Sequence, residues 1–276
     1  MSNKFIPRLH VKKQEIISDN EISMDRNVAH YLRTVMRFDL PKPVFLFNDT
    51  SGEFSAKISE LGKNGVIFKF GYCIRKVKPT TELTLLFAPI SKERSRFMIE
   101  KATELGVSHF RPVMTDHTNA TKLTVPKSLS HAKQAVEQCE RLDIPTFDQP
   151  ERILRVLKNW SSKVPLLYCA ESGEGADLTE ALEGLKGSAI AVLVGPEGGF
   201  SFEEDEFLML KDFVVPVSLG PRIMRAETAA IAVLSVVQAV VGDWDLRLND
   251  AEEREDGGSF VDNSGEEDDD YGTITV

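Results

Sequence analysis

The sequence predicts an α/β protein in which a small β domain precedes a larger domain built on a parallel sheet. Three observations lead to this fold class. Residues 44 to 72 contain short runs of β-forming residues separated by turns with Gly and Asn. Residues 75 to 82, RKVKPTTE, are charged and polar and include a proline, as in a linker. From Leu83 onward, apolar strand-like runs alternate with helical patterns, which is typical of a parallel sheet with helices on its faces.

The first domain is predicted over residues 1 to 76. The runs VFLFN, EFSAKIS and VIFKFGYCI alternate with the turns DTSG and GKNG, and this spacing indicates a small barrel or sandwich. Upstream of these strands, NVAHYLRTVMRF places Val28, Leu32 and Val35 on one side of a predicted helix.

The second domain is predicted over residues 77 to 246. Its strands are continuous apolar runs, as expected where helices cover both faces of a sheet. The predicted strands are LTLLFAP, HFRPVM, IPTF, PLLYCAE, AIAVLVG and FVVPVSLG. The predicted helices are KERSRFMIEKATELG, residues 127 to 141, ERILRVLKNW, DLTEALEGL, FEEDEFLMLK and RAETAAIAVLSVVQAVV.

The formal net charge of −10 is concentrated at one end of the chain. Residues 245 to 276 contain 12 acidic residues against Arg247 and Arg254, so the first 244 residues are neutral overall. The end of the chain is rich in Gly, Ser and Asp and poor in large apolar residues, so residues 247 to 276 are predicted to be a disordered acidic tail. A basic patch on the remaining chain is therefore still able to bind a polyanion.

Several classes of protein are disfavoured. The apolar run AETAAIAVLSVVQAVVG is too short and too often interrupted by polar residues to cross a bilayer, and the N-terminus lacks the apolar core of a signal peptide. A cytoplasmic protein that does not enter a membrane is predicted. Cys73, Cys139 and Cys169 form no CxxC or Cys/His cluster, so we predict no disulfide framework, no metal site and reduced, mostly buried thiols.

A glycine-rich loop, GPEGGF at residues 195 to 200, follows the predicted strand AIAVLV. It lies at the carboxyl end of a strand, where open α/β sheets bind their ligands. Glycine backbone lets a ligand lie directly against main-chain N–H and C=O groups. The loop fits neither GxxxxGK[ST] nor GxGxxG, which disfavours a phosphate cradle, and an ordinary strand-to-helix turn is the alternative.

A second loop, LGPRIMRAET at residues 219 to 228, follows the predicted strand FVVPVS. Gly220 and Pro221 indicate a turn, and Arg222 and Arg225 lie at or near the start of a helix. Arginine is disfavoured at that position because the helix dipole repels cations, so its presence suggests a functional use. A solvated surface charge is the alternative interpretation.

The two loops together are the most specific feature of the sequence. LVGPEGGFS with LGPRIMRAETAAI resembles the RsmE family of 16S rRNA uridine-N3 methyltransferases, in the SPOUT superfamily of S-adenosylmethionine enzymes. Weaker similarities lie in HYLRTVMRF, in KATELGV with Pro112, and in Glu137-Gln138 with Arg141. The resemblance covers roughly residues 5 to 244. The sequence departs from the family around residues 39 to 43 and at Glu140, where a small residue is common, and the acidic tail is additional.

This resemblance implies a trefoil-knotted SPOUT domain after a PUA-like RNA-binding β-barrel. It also implies that S-adenosylmethionine binds between the two loops. The implied cofactor-binding residues are Ala170, Val194, Gly195, Pro196, Glu197, Gly198, Gly199, Leu219, Gly220, Ile223, Met224, Arg225, Ala226 and Thr228. Glu197 is expected either to hold the turn or to contact the ligand.

Methyl transfer to uridine N3 requires two aligned reactants and stabilisation of the charge that the uracil carbonyl oxygens gain as the N3 proton leaves. Arg225 is the predicted catalytic residue, oriented by pairing with Glu227. Arg222 is a second candidate that is better suited to a phosphate. The predicted RNA-binding residues are Arg8, Arg33, Arg37, Lys92, Arg94, Arg96 and Arg222.

The expected partners are small-subunit rRNA, free or in the 30S particle, and a second copy of the chain. The last helix is apolar nearly all round, which indicates either core packing alone or a homodimer interface as well. Two alternative functions stay open. One is a SPOUT enzyme that methylates another RNA atom, such as a ribose 2′-hydroxyl. The other is a non-catalytic RNA-binding assembly protein whose pocket is degenerate.

Overall fold

A computed structural model describes residues 6–12, 21–35, 43–78, 80–119, 123–170 and 175–246 of the chain. These residues form two sheets with helices around the second. The predicted acidic tail, residues 247 to 276, and the predicted RNA-binding residue Arg37 lie outside the described residues.

The first sheet contains five strands within the described residues, and its neighbouring pairs are antiparallel except for the first with the third. The strands are β1 (Arg8–His10), β2 (Glu21–Asp25), β3 (Pro43–Asn48), β4 (Gly52–Leu61) and β5 (Gly65–Arg75), in the order β1-β3-β4-β5-β2. The predicted strands between residues 44 and 72 are therefore confirmed. Leu46, Ile58 and Phe68 belong to the core of this sheet. Gly52 begins β4 at a φ of +98°, and a side chain there would clash with the Arg75 carbonyl oxygen.

The helix predicted from NVAHYLRTVMRF is confirmed in part. Helix α1 (Arg26–His30) begins after Asp25, whose carboxylate accepts hydrogen bonds from the N–H groups of Asn27 at 2.8 Å and Val28 at 3.2 Å. The chain then continues as a π-helical turn, Tyr31–Val35, which a pattern of 3.6 residues per turn does not predict. Leu32 is fully buried within that turn.

The second sheet is parallel at every described pair, as predicted. Its strands are β6 (Leu83–Phe87), β7 (His109–Met114), β8 (Thr146–Phe147), β9 (Glu151–Arg152), β10 (Leu166–Cys169), β11 (Ala176–Asp177), β12 (Ile190–Val194) and β13 (Val214–Ser218). The order is β11-β13-β10-β12-β6-β7-β8, with β9 beside β7. The short strands β9 and β11 lie in segments that the sequence patterns assign to no strand.

Helices cover both faces of this sheet. They are α2 (Lys92–Glu104), α3 (Val125–Cys139), α4 (Ile153–Lys158), α5 (Leu178–Ala181), α6 (Phe202–Met209) and α7 (Ala226–Val240). Leu85 and Val192 pack in one core cluster, whereas their chain neighbours Leu86 and Leu193 pack in another. Because successive strand residues point to opposite faces, both faces of β6 and β12 are buried. Burial on both faces explains why these strands are continuous apolar runs. Helices α4 and α5 are shorter than the sequence predicts.

The structure bears on two expectations from the sequence, one about membrane spans and one about the cysteines. Among the described helices, none is both long and apolar enough to span a membrane. The three cysteines are free, and the expectation of burial is wrong for Cys73, which is exposed.

Buried charges attach the first sheet to the C-terminal end of α3. The Arg8 guanidinium is buried and pairs with Glu53 at 2.5 Å, and Arg75 pairs with the other Glu53 oxygen at 2.7 Å. Arg8 also donates to the Val136 carbonyl at 3.4 Å, and Arg75 donates to the Glu140 carbonyl at 2.8 Å. These donors satisfy carbonyl groups that a helix end leaves free. The prediction that Arg8 contacts RNA is therefore wrong, because its guanidinium is buried against protein acceptors.

We expect Glu140→Gly to stabilise the fold. Glu140 ends α3 in the left-handed region at a φ of 64°, with an exposed side chain. Glycine has no Cβ to strain there, so the free energy of unfolding should rise by about 0.5 to 1 kcal/mol after the added chain entropy is subtracted. Urea unfolding measures the change. Gln134→Gly, at an exposed position inside α3, is the control and should destabilise by about 1 kcal/mol. A less stable Glu140→Gly variant would contradict the expectation.

The stability of the protein should fall between pH 6.5 and pH 4 in part because of His10. Burial, with a smaller contribution from nearby Lys133, lowers the pKa of His10 from 6.5 to about 4. The unfolded chain binds the proton more readily, so the contribution is present above pH 6.5 and is lost as the pH falls towards 4. We expect His10→Gln to lose less stability than the wild type between pH 7.5 and 5.5 in urea unfolding. His30→Gln, at an exposed site, should behave as the wild type does.

Candidate active site

The topology brings the two predicted loops to one edge of the second sheet. Strand β10 lies between β12 and β13 and is parallel to both, so the carboxyl ends of all three point the same way. Neighbouring strands lie about 4.8 Å apart, which separates the ends of β12 and β13 by about 10 Å. Ala170 follows β10 and lies between the two loops. The space between these loop starts is called the cleft below.

The first loop, residues 195 to 200, joins β12 to α6 and has two glycines that no other residue replaces easily. The Gly199 N–H donates to the Pro196 carbonyl at 3.0 Å, and Gly199 has a φ of +66°. A Cβ on Gly195 would lie 2.6 Å from the Phe200 ring. Gly198 is exposed and has an ordinary φ, and a Cβ added to it would lie 3.2 Å from the His117 Cβ.

The turn after β7 holds the first loop from one side. His117 Nδ1 lies 2.8 Å from the Gly198 carbonyl oxygen, so Nδ1 carries the proton in this hydrogen bond. Buried Glu204 accepts from the Asp116 N–H at 2.9 Å and forms a capping box with Ser201 at the start of α6. The first loop is thus fixed at its tip and at its exit.

The second loop, residues 219 to 225, joins β13 to α7 and presents exposed side chains. Gly220 has a φ of +93° with open space around it, and its N–H donates to Ser218 Oγ at 3.2 Å. Ile223 is 84% exposed, and Arg225 is exposed at the N-cap of α7, where its side chain makes no capping hydrogen bond. An apolar and a cationic side chain are therefore both available to a ligand.

Arg94, in the first turn of α2, connects the first loop to the first turn of α7, which directly follows the second loop. Its Nε donates to Glu227 Oε1 at 2.8 Å and its Nη2 pairs with Glu227 Oε2 at 2.5 Å, while its Nη1 pairs with Glu197. Hydrogen bonds from Arg94 hold the pKa of Glu227 below its usual value, against the opposing effect of burial. The same bonds raise the pKa of Arg94. One guanidinium thus ties a residue of the first loop to the first turn of α7.

These contacts correct two predictions. The predicted pairing of Arg225 with Glu227 is not supported, because Arg94 binds both oxygens of Glu227, and Arg225 contributes only through its charge, which helps to lower the pKa of Glu227. The prediction that Arg94 binds RNA is also not supported, since its guanidinium is committed to two carboxylates. Of the two roles expected of Glu197, holding the turn is the one for which the structure supplies a partner.

Comparisons with known proteins identify relatives of this chain. A family model described as an RNA methyltransferase domain matches residues 76–238. The chain is 33% identical over 219 residues to the ribosomal RNA small subunit methyltransferase E of Rickettsia conorii, covering 79% of this chain and 88% of that protein. A protein of the same name from Buchnera aphidicola is 32% identical over 251 residues, covering 87% and 98%. The chain belongs to the ribosomal RNA small subunit methyltransferase E family.

A solved structure adds a likeness in three dimensions to this family assignment. A Legionella pneumophila protein, crystallised in complex with the bound cofactor SAM, superposes with a TM-score of 0.77 and is 27% identical. The match covers 87% of this chain and 99% of that one. The likeness extends over both sheets, because 87% of the chain is more than the second sheet and its helices contain.

In this member of the methyltransferase E family, the predicted cofactor-binding residues divide into a buried or half-buried set and an exposed set. Those with buried or half-buried side chains or backbone are Ala170, Val194, Gly195, Pro196, Gly199, Leu219, Met224 and Ala226. Those that are exposed are Glu197, Gly198, Gly220, Ile223, Arg225 and Thr228. The exposed set comes from the two loops and the first turn of α7, which Arg94 joins.

A shallow groove lies beside the second loop, between α5, β13 and α7. Its volume is about 280 Å³, and its lining includes Leu219 and Gly220 but no residue of the first loop. Leu178 and Val236 give it apolar walls. Sequence patterns did not single out these two side chains, because each has the spacing of an ordinary core position on its helix.

The remaining predicted RNA-binding residues of this family member lie on two surfaces. Lys92 and Arg96 are exposed at the start of α2, and Arg222 is exposed in the second loop. Lys92 beside Lys127 lowers the pKa of Lys127, so two cations lie close together there. Arg33 is exposed on the first sheet's side and donates to the Leu61 carbonyl at 2.6 Å. These side chains remain candidates for RNA contact.

Some residues that shape the cleft were missed by the sequence patterns. His117 and Asp116 follow a strand and carry no motif, so nothing local distinguishes them. The capping box of Ser201 and Glu204 was detectable, because the S-x-x-E spacing precedes a helical pattern. Metal ligands are a separate matter: within the described ranges, no group of three or more His, Cys, Asp or Glu side chains could hold a metal ion.

Proposed function

We propose that this chain transfers a methyl group from S-adenosylmethionine to N3 of a uridine in the RNA of the small ribosomal subunit. Membership of the methyltransferase E family supports the donor and the RNA class. The single observation that carries the proposal is the cleft, where two glycine loops meet at one sheet edge and are joined by Arg94. The N3 position follows from the resemblance of the two loop motifs to uridine-N3 enzymes.

The residues of the cleft fit S-adenosylmethionine. Gly220 has open space around it and Gly198 is exposed, so an adenosine can approach main-chain groups of both loops other than the Gly198 carbonyl, which His117 binds. Exposed Ile223 offers an apolar contact for a flat ring. The cofactor supplies a methyl group on a positively charged sulfur.

Arg225 is the side chain best placed to stabilise the charge on the RNA base. As the N3 proton leaves, the uracil carbonyl oxygens become more negative. Arg225 is exposed at the N-terminus of α7, where the helix dipole adds a partial positive charge. Within the part of the chain that the structure describes, no ion pair engages its guanidinium. It is therefore free to donate to a carbonyl oxygen of the base.

The RNA is proposed to lie across both sheets. Lys92 and Arg96, on the side of α2 that meets α3, and Arg222, in the second loop, would contact phosphates, whereas Arg33 extends the basic surface to the first sheet. The first sheet is proposed to be a PUA-like RNA-binding domain, residues 1 to 76. Residues 77 to 246 are proposed to be a trefoil-knotted SPOUT domain. The parallel order β13-β10-β12, with both loops at one edge, supports the second assignment.

A homodimer is proposed on the basis of α7. One side of α7 packs in the core through residues such as Ala230 and Val233. Its other side carries Val236, which is only partly buried, and Val240, which is 39% exposed. A second copy of the chain would cover this apolar side. The enzyme would act in the cytoplasm, where small subunits are found.

Methyl transfer to isolated small subunits tests the function. We expect wild-type protein to transfer the methyl group of S-adenosylmethionine to subunits from cells that lack the enzyme, and mass spectrometry of the RNA to place it on uridine N3. Calorimetry should show binding of S-adenosylmethionine and of S-adenosylhomocysteine. Methylation of a ribose hydroxyl would replace the N3 assignment by another RNA position. Absence of heat with either compound would favour a non-catalytic RNA-binding protein.

A further inference from the structure

We propose that Arg94 is a positioning residue that sets the separation of the two cofactor loops. This rests on the proposed function, since it assigns a role to a side chain of the same cleft. Arg94 lies 103 residues from Glu197 and 133 residues from Glu227 in sequence, so it joins segments that the chain itself does not hold together. The contacts described for the Arg94 guanidinium are with protein carboxylates, so its proposed role does not depend on touching either substrate.

The backbone that carries Arg94 is well anchored. The neighbouring Ser95 is buried, and its Oγ accepts from the Ile90 N–H and donates to the Ile90 carbonyl, both at 3.1 Å. Met98 and Ile99, one turn further along α2, are fully buried in the core of the second sheet. The guanidinium therefore extends from a rigid base to two segments that come from distant parts of the chain.

The chemistry of the contact is suited to holding two loops. A guanidinium is planar and binds a carboxylate through two parallel hydrogen bonds, and Arg94 binds Glu227 in this way through Nε and Nη2. Its remaining Nη1 pairs with Glu197. Without Arg94 the two carboxylates repel each other, and the first loop and the first turn of α7 move apart.

Hydrogen exchange in the absence of any ligand tests the coupling. The reporters are the Gly199 N–H, bonded to Pro196, and the Ala229 N–H, bonded to the Arg225 carbonyl at 2.8 Å. In Arg94→Met we expect both amides to exchange about tenfold faster. Arg155→Met is the matched control, because Arg155 of α4 pairs, among the described residues, only with nearby Glu151 of β9, at 2.9 Å, and its side chain is 76% exposed. Acceleration at one amide only, or at neither, would overturn the proposal.

Cofactor affinity provides the second test. We expect Arg94→Met to weaken S-adenosylmethionine binding about tenfold or more and to raise the KM for the cofactor more than it lowers kcat. Arg94→Lys should recover part of the loss, since a single ammonium holds one carboxylate at a time. In a protein that already carries Glu197→Gln and Glu227→Gln, Arg94→Met should have little further effect. A full additional loss in that background would show that Arg94 acts on a substrate directly and would sink the proposal.

RNA binding separates positioning from phosphate contact. We expect the dependence of RNA affinity on salt to be the same in Arg94→Met and wild type, whereas Lys92→Met should reduce the slope by about one. A reduced slope in Arg94→Met would overturn the positioning role. If the wild type binds no S-adenosylmethionine, the proposed function fails, but the exchange experiment still decides whether Arg94 couples the two segments.

Discussion

Arg225→Ala is expected to lower kcat for methyl transfer by about 10²- to 10³-fold, the loss typical of removing one donor that stabilises developing negative charge. Arg225 is exposed at the N-cap of α7 and is not needed to cap that helix through its side chain. The substitution should therefore leave the fold nearly unchanged and lower kcat by a larger factor than the affinity for S-adenosylmethionine. Single-turnover transfer to small subunits measures the rate, and calorimetry measures the affinity.

Two further substitutions test whether the loss of kcat is specific to Arg225 or follows the removal of any exposed arginine. Arg222 is exposed in the same loop, and Arg222→Ala should raise the KM for RNA with a smaller effect on kcat, as expected of a phosphate contact. Arg155→Ala removes an exposed arginine on α4 and should leave both constants as in the wild type. An Arg225→Ala enzyme with wild-type turnover would remove Arg225 from the mechanism and return catalysis to Arg222 or to backbone groups.

Gly198→Val should weaken the binding of S-adenosylmethionine at least about 100-fold, because the new side chain would press on His117, which holds the Gly198 carbonyl, and would displace the tip of the first loop from the ligand. The fold should tolerate the change. Gly198 has an ordinary φ, and an added Cβ would lie 3.2 Å from the His117 Cβ, so a shift of a few tenths of an ångström accommodates it. Calorimetry measures the affinity and thermal unfolding measures the stability.

The control for Gly198→Val is Gly62→Val. Gly62 also has an ordinary φ, and its added Cβ would lie 3.5 Å from the Gly65 carbonyl oxygen, in the turn between β4 and β5. This variant should bind the cofactor as the wild type does, because the turn belongs to the first sheet. Wild-type affinity in Gly198→Val would place the cofactor away from the first loop and would falsify the proposed location of the pocket.

Much of the second sheet could be predicted from the sequence, because strand and helix periods are local properties. The run IAVLV of β12 is buried at all five positions, and its lack of alternation is the pattern expected of a strand covered on both faces. The first helix is less predictable, because the chain widens to a π-helical turn at Tyr31. The end of α3 was predicted two residues late, because Glu140 turns into the left-handed region, which most residues avoid.

The charged residues show the limit of sequence patterns. No local sequence pattern distinguishes Arg8, Arg94 and Arg96 from one another, and the sequence analysis predicts that each of them binds RNA. Arg8 is buried beneath α3 and Arg94 lies between two carboxylates, whereas Arg96 is exposed and pairs only with Glu100 on its own helix. A cation's role depends on which acceptors surround it, and those acceptors come from distant parts of the chain.

The sequence by itself determined the alternation of strands and helices, the two glycine loops at strand ends and the absence of a long apolar span, since each depends on residues within a few positions of one another. Only the tertiary structure decided that Arg94 joins the loops, that Arg225 is left without Glu227, and that Arg8 attaches the first sheet to α3. The contacts of Arg94 with Glu227 and of Arg8 with Val136 span 133 and 128 residues of sequence. Contacts at such separations depend on the order of strands in the sheets, which no local pattern encodes.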